Sequence, residues 1–408
     1  MGKPWVISSV SAICAHPFTF GVEEEFFLAE PRTGAAIPRV PVGLMSALKQ
    51  RLGDRVGCEL LQGQVETVTP VCHSEADIRA ALVEQRKGLD EVCRDYGLRF
   101  FAAGTHPLGV WREQEPSNGA RYEKLIDDFQ LVGRRNLLCG LHVHVQPPED
   151  VDRVLVINRV LPWLPLFLAL STSSPFWDRQ RSGLMSYRQA AYDEWPRTGI
   201  PDFFDSEAHY NAYVATLVRT RSIADSSYVW WAIRPSLRYP TVELRIADSC
   251  THVEDALVLA LLFRCLVRAA SRGECLDLPR DGALRCLIEE NRWRSKRYAF
   301  DQGFIDYARG QVVPFREALV NLLDLLKADI SALGHDDLPS RLTGILERGT
   351  SAHQQLACYF TARRAGASHV QALRAVVGWL IKQSSPLRDC PVDPSSDREA
   401  TRRWRVAA

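Results

Sequence analysis

Glu23 and Glu25, in Phe20-Gly21-Val22-Glu23-Glu24-Glu25-Phe26, are two carboxylates one residue apart on a segment that otherwise reads as a strand. Phe18, Phe20 and Val22 precede them, Phe27 and Leu28 follow, and Pro31 with Gly34 supplies the stop. Strand side chains alternate between faces, so Glu23 and Glu25 share one face and Glu24 points to the other. Two like charges held roughly 7 Å apart on a buried strand are costly unless a cation neutralises them. Hard oxygen ligands suit Mg²⁺ or Mn²⁺ better than zinc. An exposed edge strand with a solvated acidic stripe fits the same pair. Three further segments weigh against it.

In Gln62-Gly63-Gln64-Val65-Glu66-Thr67-Val68-Thr69-Pro70, alternation sends Gln62, Gln64 and Glu66 to one face. A polar outer face of an antiparallel sheet gives the same pattern. In Cys139-Gly140-Leu141-His142-Val143-His144-Val145, the two histidines share a face at a metal-ligand spacing that also suits two stacked surface histidines. In Pro240-Thr241-Val242-Glu243-Leu244-Arg245-Ile246-Ala247-Asp248, Glu243 and Arg245 lie together over Val242, Leu244 and Ile246. They suit a salt bridge, or a metal and a guanidinium with an anion such as phosphate between them. Four strands that each alternate apolar residues with inward acids, histidines or arginine are hard to explain without metal and phosphate.

The elements that must carry these residues can be read from periodicity. Strand-like segments fall near 18–28, 57–61, 64–69, 98–104, 138–146, 227–234 and 240–247. Ser74-Glu75-Ala76-Asp77 opens a helix whose apolar face runs through Ile78, Leu82, Leu89, Val92 and Tyr96 to Gly97. Thr251 and Glu254 cap another that runs through Leu257, Leu261 and Leu266 to Gly273. Helical periodicity also marks 149–172, 205–222, 280–296, 314–329, 338–348 and 368–383. The strands are expected to stop after residue 250, giving an α+β fold with a helical C-terminal third. The expected division is an arm over 1–17, one catalytic domain over 18–384 (sheet part 18–250, helical part 251–384) and a loose tail over 385–408. The stretch 178–201 reads as a long loop near the site.

Composition excludes several classes. Across 408 residues, 50 Lys and Arg against 49 Asp and Glu leave a net charge of +1, so nucleic acid is not an expected partner. The eleven cysteines form no C-x-x-C pair and their number is odd, which suits reduced thiols and a cytoplasmic location. Ser8, Ser9 and Ser11 dilute the apolar stretch 5–15, so a signal peptide is not expected. Residues 160–177 carry no charge, but Pro162, Pro165 and Pro175 interrupt them, so a buried helix and turn is expected rather than a membrane span. No Walker loop or dinucleotide fingerprint is present.

Taken together, Gly21-x-Glu23-x-Glu25, Glu66-x-x-Thr69-Pro70, Gly140-x-His142-x-His144 and Thr241-Val242-Glu243-x-Arg245 resemble the type 2 glutamate–cysteine ligases, or carboxylate–amine ligases. The resemblance continues through Trp231-x-x-Arg234-Pro235, Asn291-Arg292-Trp293-Arg294 and Gly349-Thr350-x-Ala352, and so spans about residues 18–360. It implies a glutamine synthetase-like catalytic domain: a curved, mainly antiparallel sheet whose concave face holds metals and ATP, with helices on the outer face. It implies an ATP-dependent ligase, joining a substrate carboxylate (glutamate's, by the family) to an amine (cysteine's) as an amide through an acyl phosphate, and a homodimer. By the same pattern Glu23, Glu25, Glu66, His142 and Glu243 would ligate Mg²⁺ (or Mn²⁺), and two such ions about 3.5–4 Å apart would clamp phosphate oxygens.

Arg245 would contact the transferred phosphoryl group, with Glu243 the second catalytic residue. Arg234 would meet ATP phosphates or the substrate carboxylate, Arg292 (with Arg294 and Arg297) would close over the nucleotide, and Gln64 would orient the amino acid. Surface ion pairs and a solvated basic face are the plainer readings of those arginines. Glu24, Glu59 and Asp248 fall outside this set, and His144 either supports a ligand or packs. Loops 105–120 and 178–205 are expected to set specificity. The sequence His353-Gln354 departs from the family's tendency toward an acidic and a basic residue there. A phosphotransferase that forms no amide, and a metal- or nucleotide-binding protein with little turnover, are the alternative functions.

Overall fold

The alternation that separates Glu24 from its neighbours is built into the longest strand, β1 (Phe20–Ala29), which lies in the middle of a seven-stranded sheet. The structure, a computed structural model, describes residues 16–274 and 276–385. The arm over 1–17, apart from residues 16 and 17, and the tail over 385–408, apart from residue 385, lie outside the described residues, as does Cys275. The other strands are β2 (Val56–Cys58), β3 (Gln64–Val68), β4 (Arg99–Phe101), β5 (Gly140–Val145), β6 (Phe176–Trp177), β7 (Gln180–Arg181), β8 (Ile233–Pro235), β9 (Val242–Asp248), β10 (Phe304–Asp306) and β11 (Gln311–Val313). The main sheet runs β2-β3-β1-β5-β9-β8, with β4 also paired to β1, and every pairing is antiparallel.

Register is what gathers the site. Glu25 stands opposite Glu66, Glu23 opposite His142, His144 opposite Glu243, and Glu243 opposite Arg234. A single row of side chains therefore crosses five adjacent strands on one face. The opposite face is apolar: Val22, Leu141, Val143, Val145, Val242, Leu244 and Ile246 pack with the helix Val253–Ser271 in the largest core. A bulge in β9 between its pairings to Leu141 and Val143 inserts one residue, which lets Ile246 and Ala247 both reach that core.

Glu24 points into the apolar side, as its parity requires, and is fully buried against the equally buried Arg86 of the helix Glu75–Asp95. Arg86 also donates to Thr251 O (2.8 Å) and Cys250 O (2.7 Å), tying helix, sheet and the start of Val253–Ser271 together. Thr69 explains part of a motif: its hydroxyl accepts from Val22 N at 2.9 Å, and a Cβ on Gly21 would lie 3.3 Å from that oxygen.

Several expectations need correction. Strand pairing does not stop at residue 250, because β10 and β11 form a hairpin. The segment 57–61 is strand only through Cys58, and 227–234 only from Ile233. The stretch 178–201 is not one long loop: it holds part of the β6–β7 hairpin and the helix Tyr187–Tyr192. The helices Leu44–Leu52, Ala120–Arg134 and Ser351–Arg364 were not expected. The run 149–172 divides into Arg153–Val160, a 3-10 turn Leu161–Trp163 and Leu164–Ser171, since Pro162 and Pro165 each open a new segment. Arg153–Ser171 is long and apolar enough to cross a membrane, yet 89% of that stretch is buried within the protein.

Candidate metal and ligand site

The row of acids and histidines forms the floor of a cavity of about 500 Å³, within the usual range for small-molecule sites. Glu23, Glu25, Glu66, His142, Glu243, Arg234 and Arg245 all line it. Above the floor stand Tyr122 and Leu125 from the helix Ala120–Arg134, with Trp195 and Trp230 beside them. Trp195 and Trp230 meet edge to face at 5.1 Å, and Phe129 packs on both. One wall is thus aromatic and the floor is charged.

Three overlapping groups of candidate ligands occur in this floor: Glu23 with Glu66 and His142, Glu23 with His144 and Glu243, and Glu25 with Glu59 and Glu66. Within each group the ligand atoms lie within 4.8 Å of one another. Glu23 and Glu66 each belong to two groups, so the three share carboxylates as a multi-cation site does.

The electrostatics show what the protein alone leaves unbalanced. Burial pushes Glu66 well above the usual carboxylate range, and Glu59, Glu23 and Glu25 add to the rise. Burial, with the charge of Glu25, raises Glu59 to about 8. Burial opposes the charge of Glu23 too, but hydrogen bonds from His142 and His144 outweigh it and hold Glu23 well below the normal value. His142 Nδ1 lies 3.1 Å from Glu23, and His144 Nε2 lies 3.2 Å from its other oxygen. Burial, assisted by Arg245, lowers His142, whereas for His144 the acids Glu23 and Glu243 overcome burial and raise it. Glu243 is held down against burial by Arg234 and Arg245.

Divalent cations fit this floor. Among the described residues His142 Nε2 is buried without a hydrogen-bond partner, and burial with neighbouring carboxylates raises Glu59 and Glu66 against the weaker opposing charge of Arg245. The donor set of five carboxylates and two imidazoles is rich in hard oxygen, as Mg²⁺ or Mn²⁺ requires.

The expected residues divide accordingly. Glu23, Glu25, Glu66, His142 and Glu243 come together. Arg245 lines the cavity, donating to Glu243 and to Tyr192 Oη at 3.2 Å, with Nε buried and unpartnered. Arg234 lines it too, but most of its donors are taken: two go to Glu243 (2.8 and 3.0 Å), and Nη1 serves Ser227 O and Val229 O. It holds Glu243 in place rather than offering a free fork to phosphate.

Two expectations are not met in this geometry. Gln64 is buried away from the cavity, donating to Leu138 O at 2.7 Å. Arg292 is buried outside the cavity and engaged by Asp193, Glu289 and Gln189, because its helix Gly282–Tyr298 packs on the helix Leu164–Ser171 rather than over the floor. Arg294 likewise serves Glu290 and Gly303 O.

The sequence reading missed Glu59 and left His144 aside. Glu59 sits just past the end of β2, where period-two reasoning stops, whereas His144 shared the face of His142 and could have been promoted on that ground. Arg188, Tyr192 and Trp195, all from the stretch read as loop, line the cavity; residues 105–120 supply none of its lining. Asp248 is correctly outside it, buried and accepting from Ser173 N, Ser174 Oγ and Ser186 Oγ. The segment Gly349–Gln355 lies outside the cavity lining and ties to the end of the helix Leu164–Ser171: Ala352 N donates to Thr172 O, Gln355 Nε2 to Ser173 O, and His353 Nδ1 accepts from Thr350 N.

Comparison with known proteins shows the family and the fold. The model of the family described as glutamate–cysteine ligase family 2 matches residues 19–376. A relative from Ectopseudomonas mendocina, provisionally named glutamate–cysteine ligase 2, is 43% identical over 366 residues, covering 90% of this chain and 97% of its own length. One of the same name from Rhodospirillum rubrum is also 43% identical, over 371 residues, covering 90% and 95%. Among solved structures, the glutamate–cysteine ligase of Francisella tularensis in complex with AMP shares the fold at 12% identity with a TM-score of 0.67, covering 95% of this chain and 93% of that one. The bifunctional glutathione synthetase of Pasteurella multocida gives 0.65 at 16% identity, covering 90% of this chain and 52% of that one.

Proposed function

The chain belongs to glutamate–cysteine ligase family 2, and from that premise we propose that it is an ATP-dependent carboxylate–amine ligase working through an acyl phosphate. The observation that carries this reading is the set of three cation-binding groups sharing Glu23 and Glu66 on the floor of one cavity.

A carboxylate is a poor electrophile toward an amine. In the proposed reaction a substrate carboxylate oxygen attacks the γ-phosphorus of ATP, the bond to the β–γ bridging oxygen breaks, and ADP leaves. The amine nitrogen then attacks the acyl carbon, the carbon–oxygen bond to phosphate breaks, and the nitrogen gives up a proton as the amide forms. Such transfers ask the protein mainly for positioning and charge stabilisation. Magnesium held by Glu23, Glu25, Glu59, Glu66, His142, His144 and Glu243 would neutralise the phosphate oxygens.

The chain's own residues supply the rest. Arg245, anchored by Glu243 and Tyr192, presents its guanidinium toward the transferred group. Arg234 fixes the orientation of Glu243. Trp195, Trp230, Tyr122 and Leu125 offer an apolar wall suited to a purine, and help exclude water from the acyl phosphate. Glutamate as donor and cysteine as acceptor belong to this proposal on family grounds. So does the homodimer, while a cytoplasmic location rests on the eight cysteines that are free among the described residues.

An ADP-release screen at fixed Mg²⁺, crossing carboxylate donors with amine acceptors, tests the reading. Expected is ADP formation that requires both partners and yields one amide per ADP. ADP formed without an acceptor would instead identify a phosphotransferase, and binding without ADP formation a nucleotide-binding protein.

A further inference from the structure

Arg188, in the helix Tyr187–Tyr192, is the cavity residue that neither the metal floor nor Glu243 accounts for. Only 3% of it is exposed, yet among the described residues it makes no ion pair within 4 Å of a carboxylate. Its Nη1 donates to two backbone carbonyls, Ala247 O at 3.0 Å and Arg245 O at 3.5 Å. Its Nε is buried with no partner. Asp248 feels its charge, but the oxygens of Asp248 are taken by Ser173, Ser174 and Ser186. Two other arginines of the cavity, the partly buried Arg234 and Arg245, both pair with Glu243. A desolvated guanidinium with unused donors is expensive unless an anion completes it.

The sequence makes room for this cation. A Cβ on Gly140 would lie 2.2 Å from Arg188 Nη2 and 2.7 Å from Cζ, so the guanidinium rests flat on the strand where a side chain would stand. Gly140 also donates its backbone N–H to Glu25, which places Arg188 at the Glu25–Glu59–Glu66 end of the floor. The far end belongs to Glu243, His144 and Arg234. The ring of Tyr192, 5.5 Å from Arg188 Cζ, supports its position.

We propose that Arg188 is an anion-binding residue of this cavity, its planar fork taking an oxyanion of the bound ligand, either the carboxylate of the donor or a phosphate of the nucleotide. The proposal rests on the reading of the cavity as the ligase site. Arginine suits both sources because it offers two parallel donors to two oxygens.

Isothermal titration of MgADP and, separately, of L-glutamate into wild type, Arg188→Lys and Arg188→Ala tests it. Wild type binding neither ligand would sink the reading of the site itself. Given wild-type binding, Arg188→Ala is expected to weaken one ligand by roughly 10- to 100-fold while sparing the other, and the ligand affected identifies the oxyanion. Arg188→Lys, which keeps charge but not the fork, should fall between, and added methylguanidinium should restore part of the loss in Arg188→Ala. Affinities for both ligands within about two-fold of wild type in both folded variants would overturn the proposal. Failure of both variants to fold would also overturn it, because a residue that serves a ligand is dispensable for the core.

Discussion

Glu23 belongs to two ligand groups at once and is held by both histidines, so it should be the residue whose charge the cavity can least lose. Glu23→Gln keeps size and hydrogen-bonding capacity but removes the shared negative charge. ADP formation is expected to fall roughly 100-fold or more, with the thermal midpoint held. Full turnover in that variant, measured by a coupled ADP assay, would remove Glu23 from the centre. At this scale much was legible: strict alternation told Glu23 and Glu25 from Glu24, and placed Glu66, His142 and Glu243 on the same face. Glu59 was not legible, because it lies beyond the strand end where side-chain direction follows a turn. Arginine roles were read least well. A guanidinium reaches several partners, and only coordinates show that Arg292 pairs with Asp193 and that Arg234 is turned onto Glu243.

Between elements, the buried Glu24–Arg86 pair joins β1 to the helix Glu75–Asp95 beneath the acidic floor. Arg86→Ala would strand the Glu24 carboxylate in the apolar core and is expected to cost about 3–5 kcal/mol by chemical denaturation. Adding Glu24→Gln should recover part of that loss, since the stranded charge is then gone. A loss below about 1 kcal/mol would show that the pair does not hold the sheet. Arg86 was invisible from sequence as Glu24's partner, being 62 residues away. The missed helices have local causes. Leu44–Leu52 starts after Gly43 in a left-handed conformation with no side-chain cap, and Ala120–Arg134 follows Gly119 and is interrupted at Gln130 (φ 45°). Long, well-capped helices such as Glu75–Asp95 were read correctly because Ser74 and Asp77 form a complete capping box.

For the molecule as a whole, the proposed cation binding would be linked to folding through the same acids. Glu59 rises from 4.5 to about 8 on folding, and Glu66 also moves up. A raised acid binds its proton more tightly when folded, so the metal-free protein loses stability as pH climbs from about 4.5 to about 8. Cations need those acids ionised. Apparent Mg²⁺ affinity should therefore strengthen from about pH 6 to about pH 9, and binding near pH 7 should release protons. Calorimetry in buffers of different ionisation enthalpy reads that release directly; affinity independent of pH with no proton release would remove Glu59 and Glu66 from the ligands. The α+β class was legible from the order of strands and helices and the antiparallel sheet from the family resemblance, whereas the expected Thr251–Glu254 cap is absent: His252 stands at the N-cap of Val253–Ser271 with no side-chain hydrogen bond. The β10–β11 hairpin was not legible, since three-residue strands carry too short a pattern to register.

Titration of Mn²⁺ into the protein with ADP present, followed by electron paramagnetic resonance, puts the convergence of these acids to its most direct test. Wild type is expected to take up more than one ion per chain, and Glu23→Gln and Glu66→Gln should each reduce the uptake, because each carboxylate serves two groups. A wild-type protein that leaves the Mn²⁺ signal free in solution with nucleotide present would contradict the account.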